Sequence, residues 1–125
     1  MAARVLLIDD DPKIHKAVEH ALAGLDLKLD HASDGRAALG MIGAEPVDLI
    51  ITDLIMPVKD GLSFVQILRA QGFRMPMIVL SGYVTDDLRR ELSYYSDVTI
   101  IPKPFRPDEL HATVKLVLEP KRAEP

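Results

Sequence analysis

Acidic side chains collect at two places in this sequence, Asp9-Asp10-Asp11 and Asp53, and each place follows directly on a run of apolar residues. Ser81 and Lys103 stand at the ends of two further runs of the same kind. Carboxylates brought to one place repel one another and need compensation. A hard cation with oxygen ligands supplies it. Mg²⁺ (or Mn²⁺) fits, because it needs only one or two carboxylates beside waters and phosphate oxygens. A lysine and a hydroxyl next to such a cation suit a phosphoryl group. The cation and Lys103 would neutralise its oxygens, and Ser81 would offer a hydrogen bond. All of this requires that the four positions meet, so the elements between them decide the matter.

The first apolar run, Val5-Leu6-Leu7-Ile8, is short and continuous, as a strand buried on both faces should be. Asp11-Pro12 is a cap followed by a proline at the first helical position. Ile14, Ala17, Val18, Ala21, Leu22 and Leu25 then recur at helical spacing, with Gly24 as a stop. Leu27, Leu29 and His31 alternate with Lys28 and Asp30, which predicts an edge strand. Ser33-Asp34-Gly35 opens a second helix through Ala38 and Ile42. Val47 to Thr52 predicts a third strand that ends at Asp53. Asp60-Gly61 leads to a helix through Phe64 and Leu68, stopped by Gly72. Pro76 to Leu80 is a fourth strand, Thr85 to Tyr95 a fourth helix, and Val98 to Ile101 a fifth strand. Pro107 opens a last helix, expected to fray at Pro120. Residues 1–119 therefore read as one domain, and 120–125 as a tail or the start of a linker. Strands that alternate with helices argue for an α/β domain with a parallel sheet and helices on both faces. Such folds bind ligands at the carboxyl ends of the strands, where Asp9, Asp53, Ser81 and Lys103 all fall.

The bulk composition excludes several classes. The 125 residues suit one compact domain, with 48% hydrophobic and 27% charged residues. The formal net charge of -4 lacks the basic footprint of a nucleic-acid binder. No cysteine is present, so disulfides, thiolate zinc sites and a cysteine nucleophile are ruled out. No segment approaches the roughly eighteen apolar residues of a membrane span, and the apolar start is too short for a signal peptide.

Ile8-Asp9-Asp10-Asp11, Asp53-Leu54-Ile55-Met56-Pro57 with Asp60-Gly61, Leu80-Ser81-Gly82 and Lys103-Pro104-Phe105 together resemble the receiver domain of two-component response regulators. The four fragments come in order, each at the end of an expected strand. The resemblance implies a flavodoxin-like, doubly wound (βα)5 fold with strand order 2-1-3-4-5. It implies that Asp53 is the nucleophile and becomes an aspartyl phosphate. Asp10 and Asp53 would bind Mg²⁺ directly, joined by the backbone carbonyl of Ile55, with Asp9 acting through water. Lys103 would contact the phosphoryl oxygens, Ser81 would turn inward to the phosphate, and the Lys103-Pro104 bond would be cis. The donor would be a sensor histidine kinase or a histidine phosphotransfer protein in the cytoplasm. Output would pass to a fused domain or a homodimer through the face of the fourth and fifth helices, with no membrane and no direct nucleic-acid contact by this domain. The domain would be a switch that phosphorylates and dephosphorylates itself, and otherwise no enzyme.

The sequence departs from the family at Ile100, three positions before the lysine, where an aromatic switch residue is common. The hydroxyl half of the switch stands in Ser81; the aromatic half is missing, or is carried by another group such as Tyr83. After the fourth helix Ser96-Asp97 replaces the usual Gly-Ala. One alternative is therefore a pseudo-receiver that binds partners without phosphorylation. An aspartyl-intermediate hydrolase of the haloacid-dehalogenase type needs a second Asp two residues after its nucleophile, where this chain has Ile55. A flavodoxin needs a Ser/Thr/Gly-rich phosphate loop after the first strand, which is absent. Plainer readings cover the rest. Asp11 caps a helix. His15, His20, His31 and His111 lack metal-ligand spacing and read as surface or boundary residues. Met75 and Met77 read as core filler. Arg89-Arg90 reads as a solvated face, or as a pairing surface for acids such as Asp97 or Asp108 on a second subunit.

Overall fold

A computed structural model describes residues 2–53, 61–82, 84–95 and 97–123, with backbone alone at 61–63 and 120–123. The elements alternate: β1 (Ala3–Ile8), α1 (Pro12–Ala21), β2 (Leu27–Ala32), α2 (Gly35–Ala44), β3 (Leu49–Asp53), α3 (Gly61–Ala70), β4 (Met77–Ser81), α4 (Asp86–Ser93), β5 (Val98–Pro102) and α5 (Pro107–Ala123). The strands form one parallel sheet in the order β2-β1-β3-β4-β5. This is the doubly wound, flavodoxin-like arrangement that the sequence implies.

The apolar runs are continuous because the central strands are covered on both sides. Successive side chains leave opposite faces of a strand, and the core divides accordingly. Val5, Leu7, Leu49, Ile51, Ile78 and Leu80 pack with Val18 and Leu22 of α1 and with Leu110 and Val114 of α5. Leu6, Ile8, Ile50, Met77 and Val79 face the other way, onto Ala38 and Ile42 of α2, Phe64 and Leu68 of α3, and Leu92 of α4. Met77 is core, and Met75 packs at its margin, as filler should.

Local signals set the helix starts. Asp11 caps α1 by accepting a hydrogen bond from the Lys13 N–H at 2.9 Å. Asp34 caps α2 through the Ala37 N–H at 2.9 Å, and Thr85 caps α4 through the Leu88 N–H at 3.1 Å. Gly24 and Gly72 take φ of +90° and +91° just past α1 and α3, which a side chain would resist. At the amino ends of the strands, Arg4 of β1 donates to Asp30 Oδ2 at 2.7 Å and to the Glu45 carbonyl at 2.8 Å. It ties the edge strand β2 and the α2–β3 turn to the centre of the sheet.

Some boundaries differ from expectation: β3 starts at Leu49 rather than Val47, and α4 spans Asp86–Ser93 rather than Thr85 to Tyr95. α5 continues to Ala123 rather than fraying at Pro120. A proline removes one N–H and clashes with the turn before it, which kinks or breaks a helix without always ending it. Among the described residues, no helix is long and apolar enough to cross a membrane.

Candidate functional site

Parallel strands bring their carboxyl ends to one rim. Asp9 follows β1, Asp53 is the last residue of β3, Ser81 is the last residue of β4, and Lys103 follows β5. The register holds these ends level: Ile8 lies beside Thr52, Asp53 beside Leu80, and Ser81 beside Pro102.

Lys103 is the centre of the cluster. Its Nζ donates to Asp53 Oδ2 at 2.8 Å and lies 3.3 Å from Asp9 Oδ2. The lysine backbone is anchored too: its N–H donates to the Ser81 carbonyl at 2.8 Å, and the Lys103-Pro104 peptide is cis. Asp9 is 2% exposed, and its Oδ1 accepts the Asp11 N–H at 2.9 Å. Thr52, fully buried behind Asp53, donates its hydroxyl to the Asp53 carbonyl at 3.0 Å.

Burial pushes the Asp9 carboxyl above the usual carboxylate range. The Asp11 N–H and the Lys103 ammonium oppose the rise, and the Asp53 charge adds to it. Burial would lower the Lys103 ammonium, but its hydrogen bond to Asp53 and the charges of Asp9 and Asp53 outweigh that, and the net shift is upward. One ammonium thus serves two carboxylates, with Asp10 exposed beside them. The rim holds more negative charge than Lys103 offsets.

Among the described residues, no three His, Cys, Asp or Glu side chains converge as a ready-made metal cage. A hard cation that keeps several waters does not require one. The surplus of carboxylate oxygen at the rim is the donor chemistry that Mg²⁺ or Mn²⁺ fits. The cluster unites Asp9, Asp53 and Lys103. Asp10 stays in solvent, lining a shallow depression with Asp9, His15 and His31. Ser81 is buried at the end of β4, and Ile100 is partly buried against the α2–α3–α4 side of the core. Ile55, Pro57, Asp60, Tyr83 and Ser96 lie outside the described residues, so the expected Ile55 carbonyl ligand does too.

Sequence reasoning missed a second network. His15 Nε2 is 2.7 Å from the Asp9 carbonyl, His15 Nδ1 is 2.6 Å from His31 Nδ1, and His31 Nε2 is 3.1 Å from Glu19 Oε1. The two outer acceptors take a proton only from nitrogen, so Nε2 of both rings carries hydrogen. Nothing in the spacing of these histidines marks them; only the packing of α1 beside the end of β2 makes them neighbours.

The model of the response regulator receiver domain family matches residues 5–115. The chain belongs to that family. This receiver domain is similar to the response regulator MprA of Mycobacterium bovis strain BCG, 30% identical over 99% of the chain and 54% of the relative. MprA of Mycolicibacterium vanbaalenii is likewise 30% identical, over 94% of the chain and 51% of the relative. The chain spans about half the length of these curated relatives. Among solved structures, the receiver domain is similar to chemotaxis protein CheY4 of Vibrio cholerae, with TM-score 0.85 and 32% identity over 94% of this chain and 100% of that one. The receiver domain of the Francisella response regulator 1452 gives TM-score 0.85 and 32% identity, over 95% of this chain and 98% of that one.

Proposed function

We propose that this receiver domain is a phosphoacceptor switch that takes a phosphoryl group on Asp53. The observation that carries the reading is Lys103 Nζ held between Asp53 and Asp9, 2.8 and 3.3 Å away. A cation already stands where the oxygens of an incoming phosphoryl group would need one. The donor is a phosphohistidine of a histidine kinase or a phosphotransfer protein. A carboxylate oxygen of Asp53 forms the new P–O bond as the donor's P–N bond breaks. The bonding pair leaves with the imidazole, which takes up a proton.

Asp10 and Asp53 would hold Mg²⁺ (or Mn²⁺), with the Ile55 carbonyl as a further ligand and Asp9 through water. When bound, the cation neutralises charge on the phosphoryl oxygens. The chain's own groups do the rest. Lys103 releases its hold on Asp53 and Asp9 in favour of the phosphoryl oxygens. Ser81 donates its hydroxyl to the phosphate and so reports phosphorylation to β4 and the α4 side. Ile100 fills the position of the aromatic switch partner with an aliphatic side chain. The domain is otherwise no enzyme: it acts on itself alone, by phosphorylation from a donor and hydrolysis of the product. Residues 1–119 form the switch; 120–125, into which α5 extends as far as Ala123, are a terminal tail or the start of a linker. Its setting is cytoplasmic, and its output surface, to a second copy or a fused domain, is the α4–α5 face.

Intact mass after incubation with acetyl phosphate or phosphoramidate and Mg²⁺ tests this. The expected result is one added phosphoryl group in the wild type, none in Asp53→Asn, and none with a chelator. Labelling of Asp53→Asn at the full rate overturns the acceptor assignment. No labelling of the wild type favours a pseudo-receiver that binds partners without phosphate, the reading that Ile100 supports.

A further inference from the structure

The acid rim has a support on the side away from Lys103. Asp9 is tied through its backbone at both ends. Its N–H donates to the Ala32 carbonyl of β2 at 3.1 Å, and its carbonyl accepts from His15 Nε2 at 2.7 Å. The carbonyl of Asp9 and the N–H of Asp10 belong to one planar peptide. A bond that fixes that carbonyl fixes the rotation of the plane, and so the direction in which each carboxylate leaves the chain. His15 in turn is not free to rotate. His31, from the end of β2, holds its Nδ1 at 2.6 Å, and Glu19, one turn along α1, holds His31 Nε2 at 3.1 Å. The contacts Glu19–His31–His15 therefore hold the His15 ring in place, with Nε2 at the Asp9 carbonyl.

We propose that His15 is a positioning residue for the cation-binding acids: by its hydrogen bond to the Asp9 carbonyl it sets the Asp9–Asp10 peptide, and His31 and Glu19 hold its ring in place. The inference rests on the reading that these acids bind a divalent cation. His15 touches neither cation nor substrate; it acts through the peptide. Groups that orient metal ligands in this manner typically change affinity by about ten- to a hundredfold when removed.

The test is Mg²⁺ affinity by isothermal titration calorimetry on the full chain without phosphodonor. Wild type, His15→Leu, His15→Gln, His31→Leu and Asp53→Asn are compared, with thermal midpoints measured in the absence of Mg²⁺. Glutamine places an amide N–H near the position of imidazole Nε2, whereas leucine fills similar space without a donor. The expected result is an Mg²⁺ Kd about tenfold weaker in His15→Leu, within about twofold of wild type in His15→Gln, and intermediate in His31→Leu. A folded His15→Leu with wild-type Kd overturns the inference while leaving the cation site in place. Equal weakening in His15→Leu and His15→Gln also overturns it, because the effect then follows packing and not the donated hydrogen bond. If His15→Leu does not fold, His15→Asn replaces it. Its amide is too short to reach the carbonyl, so weakened binding supports the inference and unchanged binding overturns it. A wild type that binds no Mg²⁺, or an Asp53→Asn that binds as tightly, overturns the cation reading itself and this inference with it.

Discussion

Lys103 Nζ lies 2.8 Å from Asp53 Oδ2 although fifty positions separate the two residues in the chain. The same ammonium reaches Asp9, ninety-four positions away, at 3.3 Å. Two carboxylates on neighbouring strands are thus held together by one cation from a third strand's end. Lys103→Met removes that cation with little loss of volume. Phosphoryl uptake from a small phosphodonor is expected to fall by about a hundredfold, the cost of removing one pre-placed charge from the developing oxyanion. Rates of mass gain under saturating Mg²⁺ measure it; an unchanged rate would show that Lys103 is only structural.

Asp9 makes the folded state dependent on pH in a stated direction. Burial raises its carboxyl above the ordinary value, so the folded chain binds this proton more tightly than the unfolded chain does. The stability this group contributes is therefore fullest at acid pH and is lost as pH rises through the raised folded value. Asp9→Asn removes the ionised form. The variant is expected to have a higher urea midpoint than wild type at pH 7 without Mg²⁺. The advantage shrinks as pH falls toward the ordinary carboxylate range. A variant less stable than wild type at pH 7 would mean that the Lys103 bridge outweighs desolvation.

Arg4 predicts a stability effect far from the rim. Its guanidinium, 13% exposed, bonds to Asp30 Oδ2 at 2.7 Å and to the Glu45 carbonyl at 2.8 Å. Arg4→Met leaves both acceptors short of a donor and is expected to cost about 1–3 kcal/mol. Urea unfolding measures the loss, and the rate of phosphoryl uptake by the folded variant should match wild type.

Phe64 is fully buried among the α2–α3–α4 side of the core. Phe64→Ala is expected to cost about 3–5 kcal/mol. That is a large share of the roughly 5–15 kcal/mol available to a typical domain. A thermal midpoint within a few degrees of wild type would show that the site collapses around the smaller side chain.

Much of the architecture was legible without coordinates because its signals are local. Four short apolar runs and one alternating edge strand, separated by helical stretches, specify a two-sided parallel sheet, and that sheet puts Asp9, Asp53, Ser81 and Lys103 at one rim. Asp11 and Asp34 announced their helices because capping needs only a side chain and an N–H two or three residues on. Boundaries were less legible. Val47 and Asp48 carry strand-like sequence yet precede β3, and α5 passes Pro120, because a proline weakens a helix without always ending it.

The sequence by itself determined the order of the elements, the end of the sheet where polar groups gather, and the residue types gathered there. Tertiary structure alone decided which of them touch. Lys103 bridges Asp53 and Asp9 while Asp10, adjacent in the chain, faces solvent. His15 and His31, sixteen residues apart and without motif, meet as a hydrogen-bonded pair beside Asp9. The reason is range: periodicity and capping act over a few residues, whereas these contacts depend on strand register and on how α1 packs across the sheet.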